Sequence, residues 1–599
     1  MTEAHYIIGI DLGTSNTVVA YTEASAKKGE KPVVNVFQIP QLISSGEVAS
    51  RDMLPSFIYL PGKHDQNLSS LALPWNEDND AAVGEMARNR GAEVPDKFIS
   101  SAKSWLCNNM VNRTQPILPW GAPDSSRKLS PVEVSCLILK HVRDAWNHEI
   151  AGDVPELMME FQEIFLTVPA SFDADARDLT IKAAHEAGLE NVTLLEEPQA
   201  AFYSWIASSD DKWRDSVKSG DSILICDIGG GTTDFSLISV SDEGGDLSLE
   251  RVAVGDHLLV GGDNMDLAMA YSAAANLAKK GVKIDPWQMR ALGQSCRAAK
   301  EKLLSEGSPE EIPVSVLGRG SSLIGGTIKT NLVKQEIENL VLQGFFPQCH
   351  STDSPVKARQ SGLKEFGLGY ESDAAITKHL ARFLRRGGSM PEDLHVPTAV
   401  FFNGGVMKAD ALRKRIVEVI NSWGGCGVRE IESSDLDLSV AIGAAFYGFT
   451  KKTGGVRIRG GLAKTYYISI AASMPAIPGI PLPTKALCVA PFGMEEGTEA
   501  EITDRDFVLV VGENVHFDVL RSSTRLEDKT GDIVEDWNDE IEELTTIETV
   551  LDGEAGGQVP VGIKVRATEI GTLDFWCVSR NDDRKWRLEF SVRERESLE

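Results

Sequence analysis

Asp11 and Asp227 each end an apolar run and each open a turn of small residues. The first stretch reads Ile8-Gly9-Ile10-Asp11-Leu12-Gly13-Thr14-Ser15-Asn16-Thr17, and the second Ile225-Cys226-Asp227-Ile228-Gly229-Gly230-Gly231-Thr232-Thr233. Aligned on the aspartates, both give an apolar strand, Asp, an aliphatic residue, Gly, three small or turn-forming residues, and Thr. Such a turn exposes several backbone N–H groups at one point. Without bulky side chains, phosphate oxygens can approach them closely. A carboxylate facing the same point would repel phosphate unless a divalent cation lay between them. Mg²⁺ suits that place, because it keeps several waters and takes few direct protein ligands. One such turn would be an ordinary hairpin. Two of them, in two halves of the chain, imply a cleft gripping phosphates from both sides. No GxxxxGK[ST] occurs, so this is not a Walker A loop.

The surrounding pattern predicts how the turns are held. Tyr6–Ile10 and Thr17–Tyr21 read as strands around the first turn, and Ser222–Asp227 and Asp234–Val240 around the second. Pro61–Asp80 and Pro119–Ser130 are polar and Pro-containing, as surface loops are. Ser130–Ile150 has helical periodicity, with Val134, Leu137, Ile138 and Val142 on one face. The strand Ile164–Val168, the helix Asp173–Ala187 stopped at Gly188 and the strand Val192–Leu195 form a β–α–β unit. That unit implies a mixed α/β sheet. In the second half, helices are expected at Asp263–Lys280, Trp287–Leu304, Leu332–Gln343, Ser372–Arg386, Leu412–Trp423 and Leu438–Tyr447. An apolar strand, Thr398–Phe402, leads into Gly404-Gly405.

After Lys452 the composition changes. Residues 453–461 are Gly- and Arg-rich and read as a linker. Residues 462–599 read as an antiparallel β domain with one wet face. Leu573, Phe575 and Cys577 alternate with polar neighbours, as do Trp586, Leu588, Phe590 and Val592. Phe507–Val511 and Val515–Leu520 read as a strand pair around Gly512–Asn514, and the acidic stretch Glu535–Glu543 as a solvated loop.

A chain of 599 residues exceeds a single core, and 42% hydrophobic with 25% charged residues is ordinary for a soluble globular protein. The 88 acidic and 60 basic residues leave a net charge of −28, with no Lys/Arg cluster. Nucleic acid and anionic membrane surfaces are therefore not expected partners. None of the eight cysteines forms a CxxC, so reduced buried thiols are expected rather than a disulfide framework or zinc site. The N-terminus has no basic region followed by an apolar stretch, and no apolar run is long enough to span a bilayer. The reading is a cytoplasmic protein.

Several separate motifs in residues 5–450 resemble the heat-shock protein 70 (DnaK-type) chaperones. They are the Gly9–Asn16 hairpin, Val168-Pro169-Ala170 with Ala187-Gly188-Leu189, Glu197-Pro198-Gln199-Ala200-Ala201, the Asp227–Asp234 hairpin, Gly255-Asp256-His257, Gly261-Gly262-Asp263, and Ser439–Ala445. The resemblance implies an α/β, actin-like ATPase over residues 1–452, with two duplicated ribonuclease-H-like lobes. A β-sandwich-like domain that binds extended polypeptide would follow. It implies ATP/ADP and Mg²⁺ as ligands and slow ATP hydrolysis. Carried over by position, Asp11 and Asp227 would hold the magnesium's waters. Gly13, Thr14, Ser15 and Asn16 would contact the phosphates from one side, and Gly229, Gly230, Gly231, Thr232 and Thr233 from the other. Lys103 takes the place of the phosphate-facing lysine, Glu197 would reach the metal's shell, and Asp234, with Thr232, would position the attacking water. Gly261, Gly262, Lys300, Gly404, Gly405, Lys408 and Asp437 would line the nucleotide.

The chain also departs from that family. Arg297 stands where a ribose-binding glutamate is usual, and Leu304 where a serine is usual. Lys408 replaces an arginine that stacks on adenine, so looser base selection is expected. The linker segment Val456-Arg457-Ile458-Arg459-Gly460-Gly461 is basic where the family has an acidic, leucine-rich one. No helical lid is expected before Glu599. The first expectation is therefore a lidless ATP-driven chaperone with polypeptide clients and an exchange factor. The second is a nucleotide-switched protein that docks on one dedicated folded partner. A sugar kinase or a filament former is a third reading, without a phosphoacceptor pocket in view. Residues 362–386 read as an addition with no assigned role.

Overall fold

The repeat of motif is a repeat of sheet topology. The computed structural model describes residues 4–591 except 26–30, 63–70, 92, 109–110, 210–211, 244–245, 306, 319–326, 357–367, 369, 387–393, 425–426, 434, 455–457, 460–461, 463, 472–483, 495–496, 523–524, 526, 536, 538–539 and 569–571. It divides into two units, Met1–Leu247 with Ala253–Arg457, and Ser248–Val252 with Ile458–Glu599.

In the first unit, one sheet runs in the order Val192–Glu196, Glu163–Val168, Tyr6–Leu12, Asn16–Glu23, Asn35–Val36. The other runs Arg429–Ile431, Ala399–Asn403, Ser222–Ile228, Thr233–Glu243. In each sheet the strand ending in the key aspartate pairs antiparallel with the strand after its turn. On its other side it pairs parallel with a strand from later in the chain. The register sets Thr167 beside Asp11, and both Asn403 and Asp234 beside Asp227.

Helices cover these sheets because their apolar stripes require it. Pro131–Trp146 opens with a reciprocal cap. Ser130 Oγ accepts from the Glu133 N–H at 3.1 Å, and the Glu133 carboxylate accepts from the Ser130 N–H at 2.6 Å. Its Val134, Ile138, Leu139 and Val142 are buried. Ala174–Glu186 starts on Asp173, whose Oδ1 accepts from the Ala176 N–H at 2.8 Å, and the chain leaves it through Gly188 at φ +85°. Glu197–Ser208 and Ser439–Thr453 approach so closely that a side chain at Gly443 would strike the Ala200 carbonyl. In the second lobe, Leu224, Phe235, Met265, Leu292, Phe402 and Ile416 share one core.

Several expectations need correction. The helix expected from Leu332 begins at Lys334, because Leu332 belongs to a hairpin, Glu311–Leu317 with Thr327–Val333. The helix expected from Ser372 begins at Ile376, and residues 362–367 of the expected addition lie outside the described residues. Ile458–Arg459, placed in the linker, is a short strand; residues 455–457 and 460–461 lie outside the described residues.

The second unit holds two antiparallel sheets. One runs Ile533–Val534, Thr484–Ala490, Thr465–Ala471, Asn514–Ser522, Glu542–Val550, and the other Glu499–Val511, Gly557–Ala567, Thr572–Ser579, Lys585–Ser591. Ile468, Leu487 and Val519 from the first share a core with Ile563, Phe575 and Leu588 from the second. The alternation at Leu573, Phe575 and Cys577 is that of buried residues; Val592 lies outside the described residues. Phe507–Val511 and Val515–Leu520 do not pair with each other. The former bonds to Gly557–Val561, while the latter lies between Tyr467–Ile468 and Glu543–Thr549. Period-two alternation gives a strand its face but not its partner, and Gly512, at φ +78°, carries the chain from one sheet to the other.

The seven described cysteines are free thiols. Among the described residues, no helix is long and apolar enough to cross a membrane.

Candidate active site

Both turns close with the same hydrogen bond. Gly13 N–H donates to the Asn16 carbonyl at 3.1 Å, and Gly229 N–H donates to the Thr232 carbonyl at 2.9 Å. The two turns face each other. A Cβ at Gly230 would run into Ser15 Oγ, and one at Gly231 into Ser104 Oγ, with Thr14 Cγ2 at 3.0 Å. Glycine is required here by the approach of opposing groups rather than by its own dihedral angles. Ser104 Oγ is buried there with no hydrogen-bond partner among the described residues. A third segment is strapped to the second turn, with Gly262 N–H donating to the Gly229 carbonyl at 3.0 Å and Asp263 N–H to the Gly230 carbonyl at 2.7 Å.

Around the turns lies a crowd of carboxylates. Asp11 accepts from Thr167 Oγ1 at 3.2 Å, and Asp227 from Asn403 Nδ2 at 2.8 Å. Asn403 is itself held by Ser439 Oγ at 2.8 Å. Asp234 accepts from Ser171 Oγ and is also bonded by the Thr232 side chain. Lys103, nearly buried on the short helix Ala102–Leu106, is ion-paired with Glu197 at the start of its own helix.

The electrostatics follow from this crowding. Burial first, then the Glu197 carboxylate, push Asp11 up to about 7, and the same two causes push Asp227 up to about 7. Burial also brings Asp234 to about 7, against the opposing hydrogen bond from Ser171. Burial works against the Lys103 ammonium, but the Glu197 and Asp11 carboxylates outweigh it and hold its pKa above the ordinary value. Four carboxylates around one ammonium call for further positive charge. Among the described residues, no group of three or more His, Cys, Asp or Glu side chains is arranged to hold a metal by itself. The donor set fits a hard cation that shares its shell with water and phosphate oxygens, as Mg²⁺ does.

The expected nucleoside end is spent on internal pairs. Lys300 Nζ donates to the Gly262 carbonyl at 2.8 Å and sits 2.7 Å from Asp266 Oδ1. Arg297 is ion-paired with Asp263, lies 2.9 Å from Asp266 and sits over the Phe57 ring at 5.3 Å. Lys408 is ion-paired with Asp437. Gly404, at φ +87°, leaves no room for a side chain beside the Ile228 carbonyl and Asp227 Oδ1. Leu304 packs against the core of the second lobe.

One expected phosphate contact has a different place. Thr233 is fully buried, and its hydroxyl donates to the Val260 carbonyl at 2.7 Å. Side chains alternate along a strand, so Thr232 and Asp234 share the face that Thr233 leaves. Four residues have no role assigned in the sequence: Thr167, Asn403, Ser171 and His257, the last named only within the Gly255-Asp256-His257 motif. The first two had a signal. Extending the repeat to the neighbouring parallel strand puts a polar residue beside each aspartate. Ser171 and His257 meet only through the fold, with Ser171 Oγ 2.5 Å from His257 Nδ1.

Comparison with known proteins points to one family. A family model described as Hsp70 protein matches residues 7–355. Two proteins named chaperone protein HscA homolog, from two strains of Pseudomonas aeruginosa, are each 29% identical to the chain over 318 residues. The match covers 51% of this chain and 43% of each relative, less than half the length of the proteins it resembles.

Proposed function

The chain belongs to the Hsp70 protein family, and from that premise we propose that it binds ATP with Mg²⁺ between its facing hairpins and hydrolyses it as an ATP-dependent chaperone. Membership gives the first unit the two-lobed, actin-like ATPase fold. The observation that carries the proposal is the paired turns, with matching hydrogen bonds and close approach at Gly230 and Gly231, set against a buried Lys103–Glu197 pair.

Backbone N–H groups of Thr14–Asn16 and Gly230–Thr232 take the phosphate oxygens from opposite sides. Lys103 offsets negative charge as the γ-phosphoryl group leaves, and Glu197 fixes the direction of its ammonium. Asp234, held by Ser171 and Thr232, orients the attacking water. Orientation and charge placement contribute more in phosphoryl transfer than proton removal does. Asp11 and Asp227 would hold Mg²⁺, which would supply positive charge to offset the negative charge of the phosphates. Arg297 and Lys408 are tied to acidic side chains, which supports weak selection of ribose and base.

The second unit would bind extended, unfolded polypeptide by adding main-chain hydrogen bonds to one of its sheets. Single-turnover hydrolysis of ATP tests the first unit's part. Lys103→Ala is expected to slow it by about a hundredfold or more, and Asp11→Asn by a similar factor. Wild-type rates in both variants would refute the assignment. An unfolded polypeptide is expected to stimulate turnover; no stimulation by any such polypeptide would remove the chaperone reading.

A further inference from the structure

The hydrogen bonds of Asp234 continue away from the cleft. Ser171 Oγ donates to Asp234 Oδ1, and the same oxygen lies 2.5 Å from His257 Nδ1. Ser171 has one hydroxyl proton. When Asp234 is ionised its carboxylate can only accept, so in that state the proton goes to Asp234 and His257 carries its own hydrogen on Nδ1. The chain therefore runs from His257 through Ser171 to Asp234. His257 Nε2 is shut off from solvent and has no hydrogen-bond partner among the described residues. Burial pushes the imidazole down to about 4, so it stays neutral at physiological pH.

His257 is itself placed from several sides. Its ring meets Phe172 edge to face, with centroids 6.1 Å apart. Its loop is tied to the hairpin strand where Gly255 N–H donates to the Phe235 carbonyl at 2.8 Å and Thr233 N–H to the Leu258 carbonyl at 3.0 Å. The helix Ile376–Arg386 braces the same loop. Arg382 is 2.9 Å from Asp256, and Phe383 stacks on Phe235 with centroids 5.7 Å apart. Part of the stretch without an assigned role in the sequence thus supports the loop that carries His257.

We propose that Ser171 and His257 are positioning residues for ATP hydrolysis, acting together to fix the orientation of the Asp234 carboxylate toward the attacking water. The proposal rests on the reading of Asp234 given above. A carboxylate free to rotate would hold the water in several poses, and small misplacements are costly to a reaction that depends on alignment. Neither Ser171 nor His257 touches the nucleotide in this account, so their loss is expected to lower the rate of hydrolysis without weakening ATP binding.

The test is single-turnover ATP hydrolysis by the full chain, beside ATP affinity from a direct titration. Ser171→Ala and His257→Leu are expected to lower the rate by about tenfold, with affinity unchanged within about twofold. Ser171→Thr keeps the hydroxyl and His257→Asn keeps a donor where Nδ1 stood, so both are expected to recover most of the rate. His257→Gln puts its donor where Nε2 stood and is not expected to recover it. A merely structural role would respond to Asn and Gln alike, and equal rates for those two would overturn the proposal. Asp234→Asn separates the two levels. If it slows hydrolysis while Ser171→Ala and His257→Leu do not, the positioning role falls and the site stands. If Asp234→Asn leaves the rate unchanged, the reading of Asp234 falls, and this proposal with it.

Discussion

Replacing Asp234 by Asn is expected to stabilise the nucleotide-free protein increasingly as pH rises. Asp234 is buried, and burial brings its carboxyl from an ordinary value of 3.8 to about 7. The folded state thus holds this proton more tightly than the unfolded state does. The stability this contributes is fully present below the unfolded value and is lost as pH rises through the folded one. A shift of roughly three units, at about 1.4 kcal/mol each, amounts to a loss of about 4 kcal/mol between acid and mildly alkaline pH. More than half of that loss falls between pH 5 and 8. Asn cannot ionise, keeps the shape of the side chain and can still accept from Ser171, so the variant escapes the loss. The assay is thermal unfolding of both proteins without nucleotide and with the metal chelated, at half-unit steps from pH 5 to 8. The melting temperature of the variant minus that of the wild type is expected to rise across that range. A flat difference, or one that falls with pH, would show that Asp234 ionises freely in the fold and would refute the crowding argument.

Other changes test neighbouring parts of the structure. Gly230→Ala would drive a methyl group into Ser15 Oγ and hold the two turns apart; ATP affinity by titration is expected to fall by about tenfold or more. Gly443→Ala would strike the Ala200 carbonyl where two helices cross; a loss of about 3 kcal/mol is expected, read as a lowered melting temperature in the presence and absence of nucleotide. Lys408→Arg supplies a planar guanidinium for stacking; the ratio of ATP to GTP affinity is expected to rise, and an unchanged ratio would remove position 408 from base recognition.

What the sequence makes legible is local. Asp11 and Asp227 could be paired because each hairpin keeps its strand, acid and turn within about ten residues, a span over which chain order and spatial order agree. Lys103 and Glu197 were found through family resemblance, since 94 positions separate them and nothing in their surroundings marks them as partners. The pairing of Ser171 with His257, 86 positions apart, is hidden for the same reason, although His257 itself lies in a family motif. Thr233 was misread because a threonine closing a glycine turn looks like a phosphate ligand, while strand alternation turns it inward. The mistaken pairing of Phe507–Val511 with Val515–Leu520 has a related cause. Two amphipathic strands joined by a short turn can form a hairpin or enter facing sheets, and both options bury the same residues.

Both hairpins together are expected to grip one magnesium triphosphate. Calorimetric titration of ATP into wild type, Asp11→Asn and Asp227→Asn, each with and without Mg²⁺, tests that claim directly. Mg²⁺ is expected to strengthen ATP binding to the wild type, and each single substitution is expected to remove most of that gain. If one substitution abolishes the gain while the other leaves it whole, a single hairpin holds the ion and the two-sided grip is contradicted.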